Sequence, residues 1–215
     1  MILWSRVRAP IPRKTVYRLS VYLRCLEQFG ENGVQTVSSQ ALAHAAGVKP
    51  TQLRKDLTSF GHLGTRGLGY DVTKLRDRIA DVLGRKRMQP VVLIGVGNLG
   101  SALLAYKGFE KEGFEIVAGF DVDVKRQRRK TYTQPILHLD KLERFVRQHR
   151  IKMAIIAVPP SAAQDAANRL IGAGVTAVLN FAPVVLRVPS NVVVSNVNLA
   201  IEMENLSYFR SLAEG

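Results

Sequence analysis

The sequence predicts an α/β protein of two domains: short helices with a hairpin first, then a parallel sheet covered by helices on both faces. Three observations carry this. Through residues 14–88, apolar residues recur at helical spacing and are interrupted by glycines. From Pro90 onward, continuous β-branched runs alternate with helical stretches, as a parallel sheet buried on both sides requires. The charge is also uneven. The chain has 215 residues, with 31 Lys and Arg against 17 Asp and Glu and a net charge of +14. Residues 1–88 hold sixteen basic and six acidic side chains, and residues 89–215 hold fifteen and eleven. Such a field favours an anionic partner and leaves the fold open.

In chain order, Val16, Leu19, Leu23, Leu26 and Phe29 form a helical stripe that Gly30 stops. TVSS (36–39) offers Ser38 or Ser39 as the cap of a second helix containing Leu42 and Ala45, closed by Gly47. Pro50 suits the first turn of a third helix. LGTRGLGYDV (63–72) fits a short hairpin, and Leu75, Ile79, Val82 and Leu83 face inward on a helix ending at Gly84. The first domain is thus 1–84, with a linker over 85–89 and a second domain over 90–196. Within it VVLIG, EIVAGFD, MAIIAVP, VTAVLN and NVVVSN read as strands.

No apolar run approaches the ~20 residues of a membrane span. The opening MILWSRVRAPIPRK lacks the apolar segment of a signal peptide. The lone Cys25 leaves no partner for an internal disulfide and lies on a buried helical stripe with Val21, Tyr22, Leu26 and Phe29. The expectation is a cytoplasmic protein.

On the third helix Leu53, Leu57 and Phe60 share an apolar face. Thr51, Lys55 and Ser59 project opposite, with Gln52, Arg54 and Thr58 on the flanks. A short helix with one face on its domain and the other offering cations, amides and hydroxyls is what a helix-turn-helix presents to the major groove. The hairpin would be a wing, with Arg66 reaching a phosphate or the minor groove. Asp56, close to the apolar face, is expected in a structural ion pair.

Residues 91–100, VVLIGVGNLG, place GxGxxG after a buried strand and at the start of a helix. Gly95 permits the tight turn, Gly97 lets a pyrophosphate approach the backbone, and Gly100 allows close helix–strand packing. The helix N-terminus supplies free N–H groups to phosphates. Asp121, twenty-one residues after Gly100, ends the next strand, where a carboxylate binds ribose hydroxyls. The second domain is therefore of Rossmann type, a doubly wound sheet. Asp121 favours NAD(H) over NADP(H), while Lys125, Arg126, Arg128, Arg129 and Lys130 argue partly for a 2′-phosphate. No substrate domain, metal-ligand cluster or nucleophile follows. His138 and His149 are placed in or near a surface helix without a carboxylate partner, so no enzyme is expected and neither a catalytic residue nor a metal is assigned.

The chain resembles the Rex family of redox-sensing transcriptional repressors over almost its full length. The resemblance is carried by QLRKDLTSFGHLGTRGLGYDV (52–72), IGVGNLGSALLAY (94–106), FDVD (120–123), AVPPSAAQ (157–164) and LNFAPVVLRVP (179–189). It implies a winged-helix domain joined to a Rossmann domain in a homodimer, with the C-terminal helix (197–215) exchanged between subunits. It further implies binding to palindromic double-stranded operators of respiration and fermentation genes, with release when NADH, the effector, rises relative to its competitor NAD+. By position, Gly95, Gly97, Asn98, Leu99 and Gly100 would cradle the pyrophosphate and Asp121 the adenosine ribose. Val158 and Pro159 would line the path to the nicotinamide, near Asn180, Phe181 and Pro183. Tyr106 matches a tyrosine that registers the cofactor's redox state. Arg18 matches an arginine that pairs in one state with an acid near the C-terminal helix.

The sequence departs from that pattern at Asn198, which stands where the family has the acid, with Glu202 one turn later as a substitute. It departs again at Arg126-Gln127-Arg128, where a Lys-x-Gly ending is usual. Three other readings stay open: a small NAD-dependent dehydrogenase with an added basic domain, a DNA-binding protein whose Rossmann domain only dimerises, and a domain for coenzyme A or another nucleotide.

Overall fold

A computed structural model describes residues 11–58, 61, 64–65, 67–124 and 132–213. The chain divides into two compact units, Met1–Arg87 and Met88–Gly215. In the first unit, α1 (Arg13–Glu31), α2 (Ser39–Ala45), α3 (Pro50–Thr58) and α4 (Val72–Val82) accompany β1 (Thr36–Val37), β2 (Gly64–Thr65) and β3 (Gly69–Asp71). The strands form an antiparallel sheet in the order β1-β3-β2, so the hairpin pairs with a two-residue strand too short to read from sequence. Ser38 Oγ accepts from Ala41 N–H at 3.0 Å and caps α2; Asp71 Oδ1 accepts from Lys74 N–H at 2.9 Å and caps α4.

Leu19, Tyr22, Leu23 and Leu26 of α1 pack with Leu42, Leu53, Leu57, Val72, Leu75 and Ile79 in one core. Val16 is exposed and Cys25 half-buried at the edge, where burial pushes its thiol pKa up. Phe60 lies outside the described residues.

Directly beside this core is a charge. Asp56 is 4% exposed, and its carboxylate accepts from four side chains. Arg18 donates through Nε to Oδ2 at 2.6 Å and through Nη2 to Oδ1 at 2.7 Å. Tyr22 Oη donates at 2.9 Å, Gln52 Nε2 at 2.9 Å, and Thr15 Oγ1 stands at 3.5 Å. Thr15, Arg18 and Tyr22 lie on one face of α1; Gln52 and Asp56 are four apart on α3. Burial works against the charged carboxylate, but the hydrogen bonds from Arg18, Tyr22 and Gln52 outweigh it and hold its pKa below the ordinary value. The same bond raises the pKa of Arg18, and burial followed by that carboxylate raises the pKa of Tyr22.

The second unit holds β4 (Gln89–Ile94), β5 (Phe114–Asp121), β6 (Ile136–His138), β7 (Met153–Ile156), β8 (Ala177–Asn180) and β9 (Val193–Asn196). They form a parallel sheet in the order β6-β5-β4-β7-β8-β9. In chain order that is 3-2-1-4-5-6, the doubly wound arrangement, with its reversal between β4 and β7. The helices are α5 (Asn98–Ala105), α6 (Gly108–Lys111), α7 (Leu142–Gln148), α8 (Pro160–Ala173) and α9 (Leu199–Ala213). Val92 and Ile94 face Leu142, Val146, Ala163, Ala167 and Leu170, whereas Val91 and Leu93 face Leu104. Ile116 and Ala118 reach opposite faces because β5 slips by one residue between Val91 and Val92. On α9, Leu199, Ile201, Met203, Leu206, Tyr208, Phe209 and Leu212 are all exposed.

Removing one partner of a buried ion pair costs about 3–5 kcal/mol. Arg18 retains some contact with water, so Asp56→Ala should lower amide-exchange protection in α1 and α3 of the full chain by about 3 kcal/mol; unchanged protection contradicts the arrangement. A depressed carboxylate pKa stabilises above the unfolded value and ceases to do so as pH falls through the folded one. Protection in α3 should therefore hold from neutrality to about pH 4 and decline below it.

Candidate functional site

Both units carry candidate sites among the described residues; in the second, Asn98 and Tyr106 also line a hollow of about 940 Å³. In the first, α3 exposes Thr51, Arg54, Lys55 and Thr58. Arg54 Nη1 donates to Ser39 Oγ at 3.1 Å, tying α3 to the start of α2. Ser38, Ser39, Arg54, Thr58, Thr65 and Tyr70 line an open cleft of about 480 Å³ between α2, α3 and the hairpin. Leu57 and Tyr70 help make much of its wall apolar, while the hydroxyls and the Arg54 guanidinium supply polar groups of the kind that meet a phosphodiester. Gln52, on the flank of α3, is half-buried with its amide nitrogen on Asp56. Ser59 and Arg66 lie outside the described residues, as does the basic stretch 125–130.

In the second unit the strand ends at the sheet's reversal point enclose a cavity of about 220 Å³. Gly95, Gly97, Asp121, Val158 and Pro159 line it together, so motif positions from three strands converge. A whole ligand usually occupies about 300–1,000 Å³, so this hollow takes one part of an extended molecule. Gly95 sits at φ +89°, and a Cβ there would meet the Ala157 carbonyl oxygen at 2.6 Å. A Cβ at Gly100 would collide with the Gly95 carbonyl oxygen, whereas one at Gly97 would meet nothing within 4 Å. The first two glycines serve the turn itself; the third keeps space open. Asn98 and Leu99 are exposed in the first turn of α5, where unpaired N–H groups favour phosphates.

Val96 is held from both sides through the two peptides that flank it. Val96 N–H donates to Asp121 Oδ2 at 2.7 Å, and the Val96 carbonyl accepts from Ser101 Oγ at 3.2 Å. Ser101 Oγ in turn accepts from Tyr132 Oη at 2.9 Å. Asp121 Oδ1 accepts from Asp123 N–H at 2.9 Å, so each carboxylate oxygen is oriented and keeps a lone pair for a ribose hydroxyl.

The other candidates lie outside that hollow, Asn180, Phe181 and Pro183 among them. Asn180 is fully buried, its amide nitrogen bonded to the Ala182 and Val184 carbonyls and to Asn196 Oδ1, and it shapes the loop after β8. Arg18 is bound to Asp56, and Asn198 Oδ1 accepts from Ala200 N–H at 3.0 Å as the cap of α9. Tyr106, at the end of α5, is exposed with its ring edge-on to Phe109 at 5.1 Å. His138 ends a strand rather than lying in a helix, and its Nδ1 stands 3.0 Å from Asp140 Oδ2. His149 stacks on Phe145 at 4.2 Å. Val122 and Ala162, inside FDVD and AVPPSAAQ, also line the cavity, as do Leu139 and Asp165, which carry no motif that could have announced them. Among the described residues, no three His, Cys, Asp or Glu side chains group as metal ligands, and no helix is long and apolar enough to cross a membrane.

Two family models match the chain: "Putative DNA-binding protein N-terminus" over residues 10–58 and "CoA binding domain" over residues 86–184. A redox-sensing transcriptional repressor Rex of Carboxydothermus hydrogenoformans is 48% identical over 198 residues, covering 92% of this chain and 95% of the relative. One of Streptomyces coelicolor is 44% identical over 205 residues, covering 95% and 80%. Among solved structures, a Rex-family repressor, RSP, in complex with β-NAD+ and operator DNA superposes with a TM-score of 0.89. It is 33% identical, with 96% of this chain and 95% of that one covered. RSP in complex with β-NADH gives 0.85 at 32% identity, covering 96% and 97%.

The glycines allow a two-sided test. Gly100→Ala should lower the melting temperature of the chain, because its Cβ meets backbone. Gly97→Ala should leave melting unchanged and weaken dinucleotide binding at least about tenfold, read by calorimetry. A Gly97→Ala chain that binds as tightly as wild type contradicts the assignment of that space.

Proposed function

The chain belongs to the Rex family of redox-sensing transcriptional repressors, and from that premise we propose that it represses transcription from palindromic operators and is released when NADH occupies its Rossmann unit. The observation that carries this reading is the pairing of two sites in one chain. A basic helix-turn-helix unit presents α3, and a doubly wound unit opens a cavity between Gly97 and Asp121. The relatives bear a repressor's name rather than an enzyme's, and RSP was solved both on operator DNA with NAD+ and with NADH. Neither the dehydrogenase reading nor a purely dimerising Rossmann domain finds support among them. A protein acting on operator DNA works in the cytoplasm of a bacterium.

In this reading Thr51, Gln52, Arg54 and Lys55 meet DNA from α3, and Ser59 and Arg66 add further contacts. Gly97, Asn98, Leu99 and the first turn of α5 take the pyrophosphate, Asp121 the ribose, and Val158 and Pro159 wall the path. Tyr106 registers the redox state of the nicotinamide. Two copies exchange α9, whose apolar side chains are exposed among the described residues. NADH works by preferring the released state; NAD+ competes without that preference. Typical coupling of 1–3 kcal/mol gives about 5- to 150-fold.

The test is a titration of a palindromic operator at constant ionic strength, because phosphate contacts make affinity fall steeply with salt. NADH should weaken binding by about 5- to 150-fold, while NAD+, NADPH and coenzyme A should not. Unchanged affinity at saturating NADH overturns the proposal.

A further inference from the structure

We propose that Asp56 is a positioning residue for Gln52, fixing its amide so that the carbonyl oxygen faces the major groove and reads a base amino group. The inference rests on the DNA-reading function above and adds a base preference to it. A carboxylate is acceptor-only, and both oxygens of Asp56 already receive hydrogen bonds from α1: Oδ2 from Arg18 and Tyr22, Oδ1 from Arg18. Gln52, one turn earlier on α3, stands 2.9 Å from Oδ1. Only its NH₂ group satisfies that contact; the flipped amide would set acceptor against acceptor. The usual ambiguity of a glutamine amide is thereby removed by chemistry.

With the amide nitrogen held on Asp56, the oxygen is left for another partner, and Gln52 lies on α3 between the exposed Thr51 and Lys55. In the major groove the amino donors are N6 of adenine and N4 of cytosine, whereas guanine presents two acceptors and thymine one acceptor and a methyl group. Adenine is the better fit, since the second N–H of the amide remains to donate to N7. Gln52 thus accepts from an amino-bearing base, and its polarity is set by a residue that touches no DNA.

The test selects binding sites from a randomised half-site library with the full-length wild type, Gln52→Ala and Asp56→Asn. At one position of each half-site, wild type should prefer adenine or cytosine by about tenfold. Gln52→Ala should lose that preference while keeping every other position and the salt dependence. Asp56→Asn, whose amide accepts or donates, frees Gln52 to rotate and should relax the same position. A merely structural role for Asp56 would weaken binding to all sequences alike. The proposal is overturned if the Gln52-dependent position holds guanine or thymine, or if Gln52→Ala leaves the selected site unchanged. Should Asp56→Asn fail to fold, Asp56→Glu, which keeps the charge and displaces the carboxylate from the Gln52 amide, decides in its place and should relax the same position. A wild-type chain that selects no sequence at all fails the DNA-reading function itself, and this inference with it.

Discussion

The DNA-reading half of the molecule hangs on a two-pronged bond between the Arg18 guanidinium and the Asp56 carboxylate. Leu53 and Leu57 bury α3 against the core, but apolar contact is non-directional and lets a nine-residue helix turn about its axis. Two parallel N–H···O bonds admit one rotation and one register. Tyr22 and Gln52 complete the coordination, so the buried charge is matched on both oxygens. A buried pair of this kind contributes little net stability compared with an apolar isostere; what it sets is geometry. That geometry decides where Thr51, Arg54 and Lys55 point.

The same bond changes what Arg18 can do. Family resemblance made it a moving part, leaving for an acid near the C-terminal helix. Leaving would strand a carboxylate that is 4% exposed, a cost of about 3–5 kcal/mol against the 1–3 kcal/mol that a typical effector supplies. Position 198 offers no acid in exchange: it is an asparagine, engaged as the cap of α9. In this structure Arg18 anchors α3 through Asp56, while the Gly-rich turn around Val96 has restraints of its own. There Val96 is gripped through Asp121 on one side and through Ser101 and Tyr132 on the other. A ligand that moves the Gly-rich turn must therefore move the ends of β5 and the segment leading to β6.

What was legible in the sequence was local. Helical stripes, the Ser38 cap, the Pro50 start and the GxGxxG turn each depend on residues within a few positions of one another. Asp56 read as half of an ion pair because a carboxylate on an apolar edge needs a cation, but its partner lies 38 residues away and no spacing rule selects it. β1 and β6, of two and three residues, are shorter than any alternation can reveal. Asn180 stands in a shared motif, but that its amide nitrogen binds the Ala182 and Val184 carbonyls follows from the path of the loop after β8 and not from any spacing. His138 and Asp140 are two residues apart, so that pairing was within reach and was obscured by placing them on a helix. Leu139 and Asp165 reach the cavity only through the packing of α7 and α8 on the sheet.

The central claim is that Arg18 sets the recognition helix and does not carry the redox signal. It is tested most directly by Arg18→Lys, which keeps the charge but loses the fork. Operator affinity is measured for this variant and wild type, with and without saturating NADH, at one salt concentration. The expected result is weaker operator binding with the NADH-dependent release ratio intact. Wild-type operator affinity together with a release ratio near one would contradict it.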